Sequence, residues 1–190
     1  MDILLINSSK INFDLAFHGM QKSQFLNIED DFRKYLFLNN EEYWRNELII
    51  WLQYIRQDIN LTCPSIVRQK NSLSMGLHFS DDLTVRSLNH KWRQQDQVTD
   101  VLSFPVLDEK TFSPQDLVIE LGDIVVSLPI AYSQAVEQNH SLEEELRWLI
   151  SHGLLHLLGW DHPDSSTLSE MLTLQEQLLQ ISGNLRTVRI

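Results

Sequence analysis

At 190 residues, with 43% hydrophobic and 22% charged content, the chain is long enough for one domain with a substantial core and short for two. A single cysteine, Cys63, excludes an internal disulfide framework, and no stretch approaches the roughly 18 apolar residues needed to span a bilayer. The formal net charge of −11 excludes non-specific binding of nucleic acid by the surface as a whole, because counterion release needs clustered Lys and Arg; recognition of RNA requires a local basic patch.

The first ten residues, MDILLINSSK, have no basic leading segment, and their apolar run breaks at Asn7. They are expected to form a short strand rather than a secretion signal, which makes the cytoplasm the default location. The rest of the first 40 or so residues is loosely organised, with an acidic cluster at Glu29, Asp30 and Asp31. From Tyr43 to about Ile59, Trp44, Leu48, Trp51, Leu52 and Ile55 recur at helical spacing, and Thr62-Cys63-Pro64 ends that helix. Met75, Leu77 and Phe79 alternate as in a half-buried strand. A helix follows over Leu83 to Gln94, capped by Asp81 or Asp82, with Val85, Leu88 and Trp92 on one side. VLSFP, ending at Pro105, is a short β-prone run. After a polar loop come two apolar runs, Leu117–Leu121 and Ile124–Leu128, where Gly122-Asp123 either kinks one strand or separates two. A helix is expected from Ile130 to about Gln138. Ser141 and Glu144 form a capping box for the next one, which ends at Gly159, a natural left-handed residue past a helix end. Asp164-Ser165-Ser166 can cap a last helix carrying Leu168, Met171, Leu172, Leu178 and Leu179. With no repeat or linker, the chain reads as a single domain over 1–190, α+β or mixed-sheet α/β.

The segment HGLLHLLGWDH, His152 to His162, carries the sharpest chemical signal. Residues four apart on a helix share a face, so His152 and His156 can address one metal ion. A reversal at Gly159 can bring His162 back as a third ligand. Three imidazoles leave the fourth tetrahedral position of zinc open, as in catalytic sites. Zinc proteases with this spacing carry a glutamate after the first histidine; here that position is Gly153, so a glutamate-dependent peptidase is disfavoured. Asp161 is either a turn-forming, ligand-orienting residue or a substitute base. His18, His78, His90 and His140 lack comparable spacing and read as solvated or structural.

A second segment, NHKWRQQDQVTDVLSFP, spans Asn89 to Pro105. Residues 64–95 carry five cations (Arg68, Lys70, Arg86, Lys91 and Arg93) against two acids, which supplies a local basic patch. Trp92 either packs in the core or stacks on a base. Arg93 either bridges to Asp96 or Asp100 or clamps a phosphate with its planar fork.

Taken together, these segments resemble the bacterial YbeY family of metal-dependent endoribonucleases, also described as rRNA maturation factors. The pattern N-x-x-(aromatic)-R-x-x-D-x-x-T-D-V-L-S-F-P is met from Asn89 to Pro105, LGDIVVS from Leu121 to Ser127 matches a second motif, and the histidine motif is met with Trp160 in place of tyrosine. The resemblance covers about 75–180; residues 1 to about 70 match nothing distinctive. It implies an α+β fold, with a small mixed sheet flanked by helices and a zincin-like metal site on a central helix. It also implies one Zn²⁺ per chain on His152, His156 and His162, with Arg93 catalytic. The implied activity is single-strand-specific cleavage of RNA in 16S ribosomal RNA 3′-end maturation and ribosome quality control. The implied partners are ribosomal RNA and small-subunit ribosomal proteins, with no membrane. Two other readings compete: a zinc hydrolase of the metalloprotease type, and a non-catalytic ribosome-assembly factor whose metal only holds the fold.

Overall fold

The computed structural model describes residues 11–19, 32–107 and 117–187. The strand expected over the first ten residues and the acidic cluster at 29–31 lie outside them. Strand β1 (Asn12–His18) is followed by a 3₁₀ helix (Phe32–Asn39), α1 (Glu41–Gln57), α2 (Ser65–Gln69), β2 (Ser72–Ser80) and α3 (Asp82–Arg93). Then come β3 (Val101–Pro105), β4 (Ile119–Ser127), α4 (Leu128–Glu137), α5 (Leu142–Leu157) and α6 (Ser165–Thr187). The strands form one mixed sheet in the order β1-β2-β4-β3. β1 and β2, and β2 and β4, run parallel, while β3 lies antiparallel to β4 on an edge. The fold is α+β.

Period-two alternation decides which side of the sheet each residue faces. Phe13 and Leu15 of β1, Leu73, Met75, Leu77 and Phe79 of β2, and Ile124 and Val126 of β4 enter the main core with α1, α5 and α6. Trp44, Leu48, Trp51, Leu52 and Ile55, the apolar face expected of α1, are fully buried there. On the opposite side Val85 of α3 meets Leu102 and Val125. Helix α3 therefore covers the β3–β4 half of that face.

Several expected boundaries shift for local reasons. β1 occupies sequence that reads as loosely organised, because Phe13 and Leu15 alternate with the exposed Asn12 and Asp14. Gly122-Asp123 kinks one strand rather than dividing two: Ser74 pairs with Glu120 and Gly76 with Asp123, so β4 carries an extra residue in a bulge. Gly122 has φ +123°, and a Cβ there would lie 2.1 Å from the Phe104 carbonyl oxygen. Helix α4 begins at Leu128 rather than Ile130, capped by the Ser127 hydroxyl accepting from the Ile130 N–H. The capping box is formed as expected, with Ser141 and Glu144 exchanging side chain-to-backbone hydrogen bonds. None of the helices among the described residues is long and apolar enough to cross a membrane.

Helix α5 approaches the sheet closely at Gly153. A Cβ at this position would lie 3.0 Å from both Cδ1 and Cγ2 of Ile124 and 3.1 Å from Ser103 Oγ. The missing protease glutamate thus has a steric cause as well as a chemical consequence: residue 153 faces β3 and β4 with no room for a side chain. Gly153→Ala should cost about 1–3 kcal/mol by overpacking, and Gly153→Glu should cost more, without creating a peptidase. Urea unfolding and a casein-digestion assay on the same preparations check both expectations.

Candidate metal centre

Helix α5 sets His152 and His156 one turn apart, with ring centroids 4.7 Å apart and their Nε2 atoms 3.1 Å apart. Past Leu157 the backbone reverses in a complete Schellman turn: the Gly159 N–H donates to the His156 carbonyl and the Trp160 N–H to that of Leu155. Gly159 has φ +87°, as its place beyond the helix end predicts. Trp160 then donates its indole N–H to the Thr62 carbonyl at 2.8 Å, which pins the turn to the segment after α1. His162 returns with its ring centroid 5.3 Å from that of His152 and 5.2 Å from that of His156. One ligand nitrogen from each of the three residues lies within 4.8 Å of the others.

The hydrogen-bond partners set which nitrogens are free. His152 Nδ1 meets Gln175 Oε1 at 2.9 Å, and the Gln175 amide is oriented by donating to the Trp148 carbonyl and the Ser151 hydroxyl. His156 Nδ1 meets the Trp160 carbonyl at 2.9 Å. Both partners are acceptors, so both Nδ1 atoms carry the proton and both Nε2 atoms hold lone pairs. Two lone pairs facing each other at 3.1 Å repel unless a cation lies between them. In a tetrahedral zinc site with Zn–N near 2.0–2.1 Å, ligand nitrogens stand about 3.3 Å apart, so the residues present fit the ion.

Burial lowers the pKa of His152, against the opposing effect of the Gln175 hydrogen bond, and it lowers that of His156 with a further contribution from His152. Both rings thus stay neutral, as ligation requires. Asp161 is exposed, and its Oδ1 accepts the His162 backbone N–H at 2.8 Å. It shapes the turn that carries His162.

Arg93 is not one of the three side chains that converge in the histidine cluster. As the last residue of α3 it lines a groove of about 850 Å³ with Trp92, His18, His78, Phe104, Pro105 and Asp123, among others. His156 lines a separate depression of about 480 Å³, and Pro105 borders both. Of the two readings of Arg93, the bridge to Asp96 or Asp100 is not formed among the described residues. Asp96 takes two hydrogen bonds from Arg86, at 2.7 and 2.9 Å, and Asp100 accepts from Thr99, the Val101 N–H and Gln134. The basic patch is also smaller than the sequence suggests, because Arg68 donates to the carbonyls of Ile55, Arg56, Asp58 and Leu61. Trp92 is not a core residue; it is 63% exposed. Of the other histidines, His18 stacks on His78, which contacts Asp123, and His140 contacts Glu145.

Sequence reasoning missed Gln175 and the anchoring role of the Trp160 indole. Gln175 is fully buried between Met171, Leu174 and Leu178 on the inward face of α6. A glutamine at a core position of an amphipathic helix was the available signal.

An α+β protein with three imidazoles converging from a helix and its C-terminal turn belongs to the class with zincin-like metal sites. The family model for endoribonuclease YbeY matches residues 39–183. Two curated relatives named endoribonuclease YbeY come from Prochlorococcus marinus. That of strain MIT 9211 is 48% identical, covering 93% of this chain and 90% of its own length. That of strain MIT 9313 is also 48% identical, covering 96% and 97%. A third, from Synechococcus sp. strain CC9605, is 56% identical over 75% of this chain and 86% of its own. The solution structure of TM1509 from Thermotoga maritima shares the fold, with a TM-score of 0.53 at 22% identity, over 91% of this chain and 92% of that one. The chain belongs to the endoribonuclease YbeY family.

The lowered histidine pKa values give a pH signature of the metal-free protein. The unfolded chain takes up protons near the ordinary histidine pKa of about 6.5 while the folded chain does not, so folding stability declines as pH falls through that value. Thermal melts of chelator-treated protein should be level above about pH 7 and fall below about pH 6.5. The double variant His152→Gln, His156→Gln should flatten the fall.

Proposed function

We propose that this chain is a zinc-dependent endoribonuclease that cleaves single-stranded RNA. Its roles are maturation of the 3′ end of 16S ribosomal RNA and ribosome quality control in the cytoplasm, alongside small-subunit ribosomal proteins. The observation that carries the reading is the approach of two Nε2 atoms to 3.1 Å, with both Nδ1 atoms facing acceptors and His162 beside them. The relatives' name, endoribonuclease, supplies the substrate class.

In this reading His152, His156 and His162 hold one zinc ion, and Gln175 and the Trp160 carbonyl keep the first two rings in the ligating tautomer. When bound, zinc supplies Lewis-acid polarisation of a phosphate and acidification of water. Arg93 presents a planar fork that clamps a phosphate and offsets the negative charge that grows on it. Position 153 carries no carboxylate, and one oxygen of Asp161 is committed to the turn. A site without a dedicated base suits RNA, whose 2′-hydroxyl is an internal nucleophile. The product is then a 2′,3′-cyclic phosphate; attack by water leaves a 5′-phosphate and a free 3′-hydroxyl instead.

Purified protein should hold close to one zinc per chain, and His152→Ala, His156→Ala or His162→Ala should each lose most of it along with cleavage of unstructured RNA. Arg93→Ala should keep zinc and lose about 10²–10³ in rate, and Arg93→Lys should recover part of this through charge without fork geometry. Metal analysis, melting temperature and single-turnover cleavage with identification of product ends check these outcomes. Full zinc retention in all three histidine variants contradicts the site. A destabilised Arg93→Ala protein that cuts at the wild-type rate contradicts the clamp.

A further inference from the structure

The groove beside α3 presents an aromatic surface that the proposed chemistry does not use. Trp92 is 63% exposed, although large aromatic side chains are on average highly buried. Its position is nonetheless defined. The ring sits edge-to-face against Phe104, with centroids 6.2 Å apart at 65°, and Lys91 Nζ lies 5.2 Å from the ring centroid. Leu88, Phe104 and Val125 give the groove apolar walls, and its volume of about 850 Å³ falls within the range of ligand pockets.

Charge narrows the choice of occupant. The last turn of α3 carries His90, Lys91 and Arg93, which oppose the negative end of the helix dipole. Arg86 has already neutralised Asp96, and among the described residues no carboxylate pairs with Arg93. Lys91 covers one face of the indole, and the exposed remainder of the ring next to the Arg93 guanidinium matches one nucleotide of a single strand, with its base on the free face and its phosphate on the fork. Stacking of this kind is sequence-tolerant, because every base has a π-face. A base inside a duplex is already stacked and does not reach the ring.

We propose that Trp92 is the stacking platform for one unpaired nucleobase of the RNA, and that this contact produces the preference for single strands. The inference rests on the RNA-cleaving reading above. The test compares a short unstructured RNA with a duplex of the same composition, in cleavage and in anisotropy-detected binding, for wild type, Trp92→Ala, Trp92→Phe and Leu83→Ala. Leu83, 77% exposed at the other end of α3, controls for loss of apolar surface. Trp92→Ala should raise KM and Kd for the unstructured RNA by about 5- to 150-fold, with kcat and zinc content little changed. Trp92→Phe should recover most of the loss, Leu83→Ala should match wild type, and duplex binding should not respond. Equal affinity of wild type and Trp92→Ala for the unstructured RNA overturns the stacking contact and leaves the cleavage reading standing. Wild-type protein that cuts neither RNA overturns the cleavage reading, and the binding comparison still decides the role of Trp92.

Discussion

Helix α5 rests against β3 and β4 at Gly153, where a hydrogen fits and a Cβ would press on Ile124 and Ser103. That contact fixes how far the helix is rotated about its axis. With residue 153 turned to the sheet and Leu154 and Leu155 in the core, His152 and His156 are directed toward α6 and the turn past Gly159. The convergence of the histidines is thus a consequence of helix–sheet packing. The feature that removes the protease carboxylate also sets the ligand geometry.

The site is then made specific by polar groups that bury poorly without partners. Gln175 is fully buried on α6 and each end of its amide is used. Its oxygen fixes the proton on one imidazole, and its nitrogen ties α6 to the Trp148 carbonyl of α5. The Trp160 carbonyl does the same for His156, while the Trp160 indole anchors the turn to Thr62. A third cross-link lies away from the histidine cluster, where Arg147 of α5 pairs with Glu47 of α1 and donates to the Leu179 carbonyl of α6. These bonds hold together the helices whose mutual placement sets the ligand rings.

Most of what positions the site was legible in the chain. The i, i+4 histidines, the glycine past the helix end and the capping box are local patterns, and local physics decides them. What escaped is non-local. β1 alternates clearly only over its own seven residues, and its role depends on pairing with β2 far along the chain. Gln175 stands on the apolar face of α6 by periodicity, but its partner His152 is set only by how α6 packs against α5. Arg68 counts as a free cation in the sequence, but it folds back to satisfy carbonyls around the end of α1. Trp92 lies on the apolar side of α3 by periodicity, and its burial depends on whether the sheet extends beneath the last turn, which no local pattern states.

The acidic chain, with few free cations at the end of α3, favours a substrate held at a few points over one gripped by a broad charged surface. That arrangement places most of the functional weight on the metal centre, and its coordination is the most direct test. X-ray absorption at the zinc edge of the loaded, full-length protein should show imidazole-ring scattering from three nitrogen ligands and one further oxygen ligand without a ring, all at about 2.0–2.1 Å. A fourth protein ligand, whether a sulfur from Cys63 or another imidazole, would mean a closed structural site and contradict a catalytic role for the three histidines.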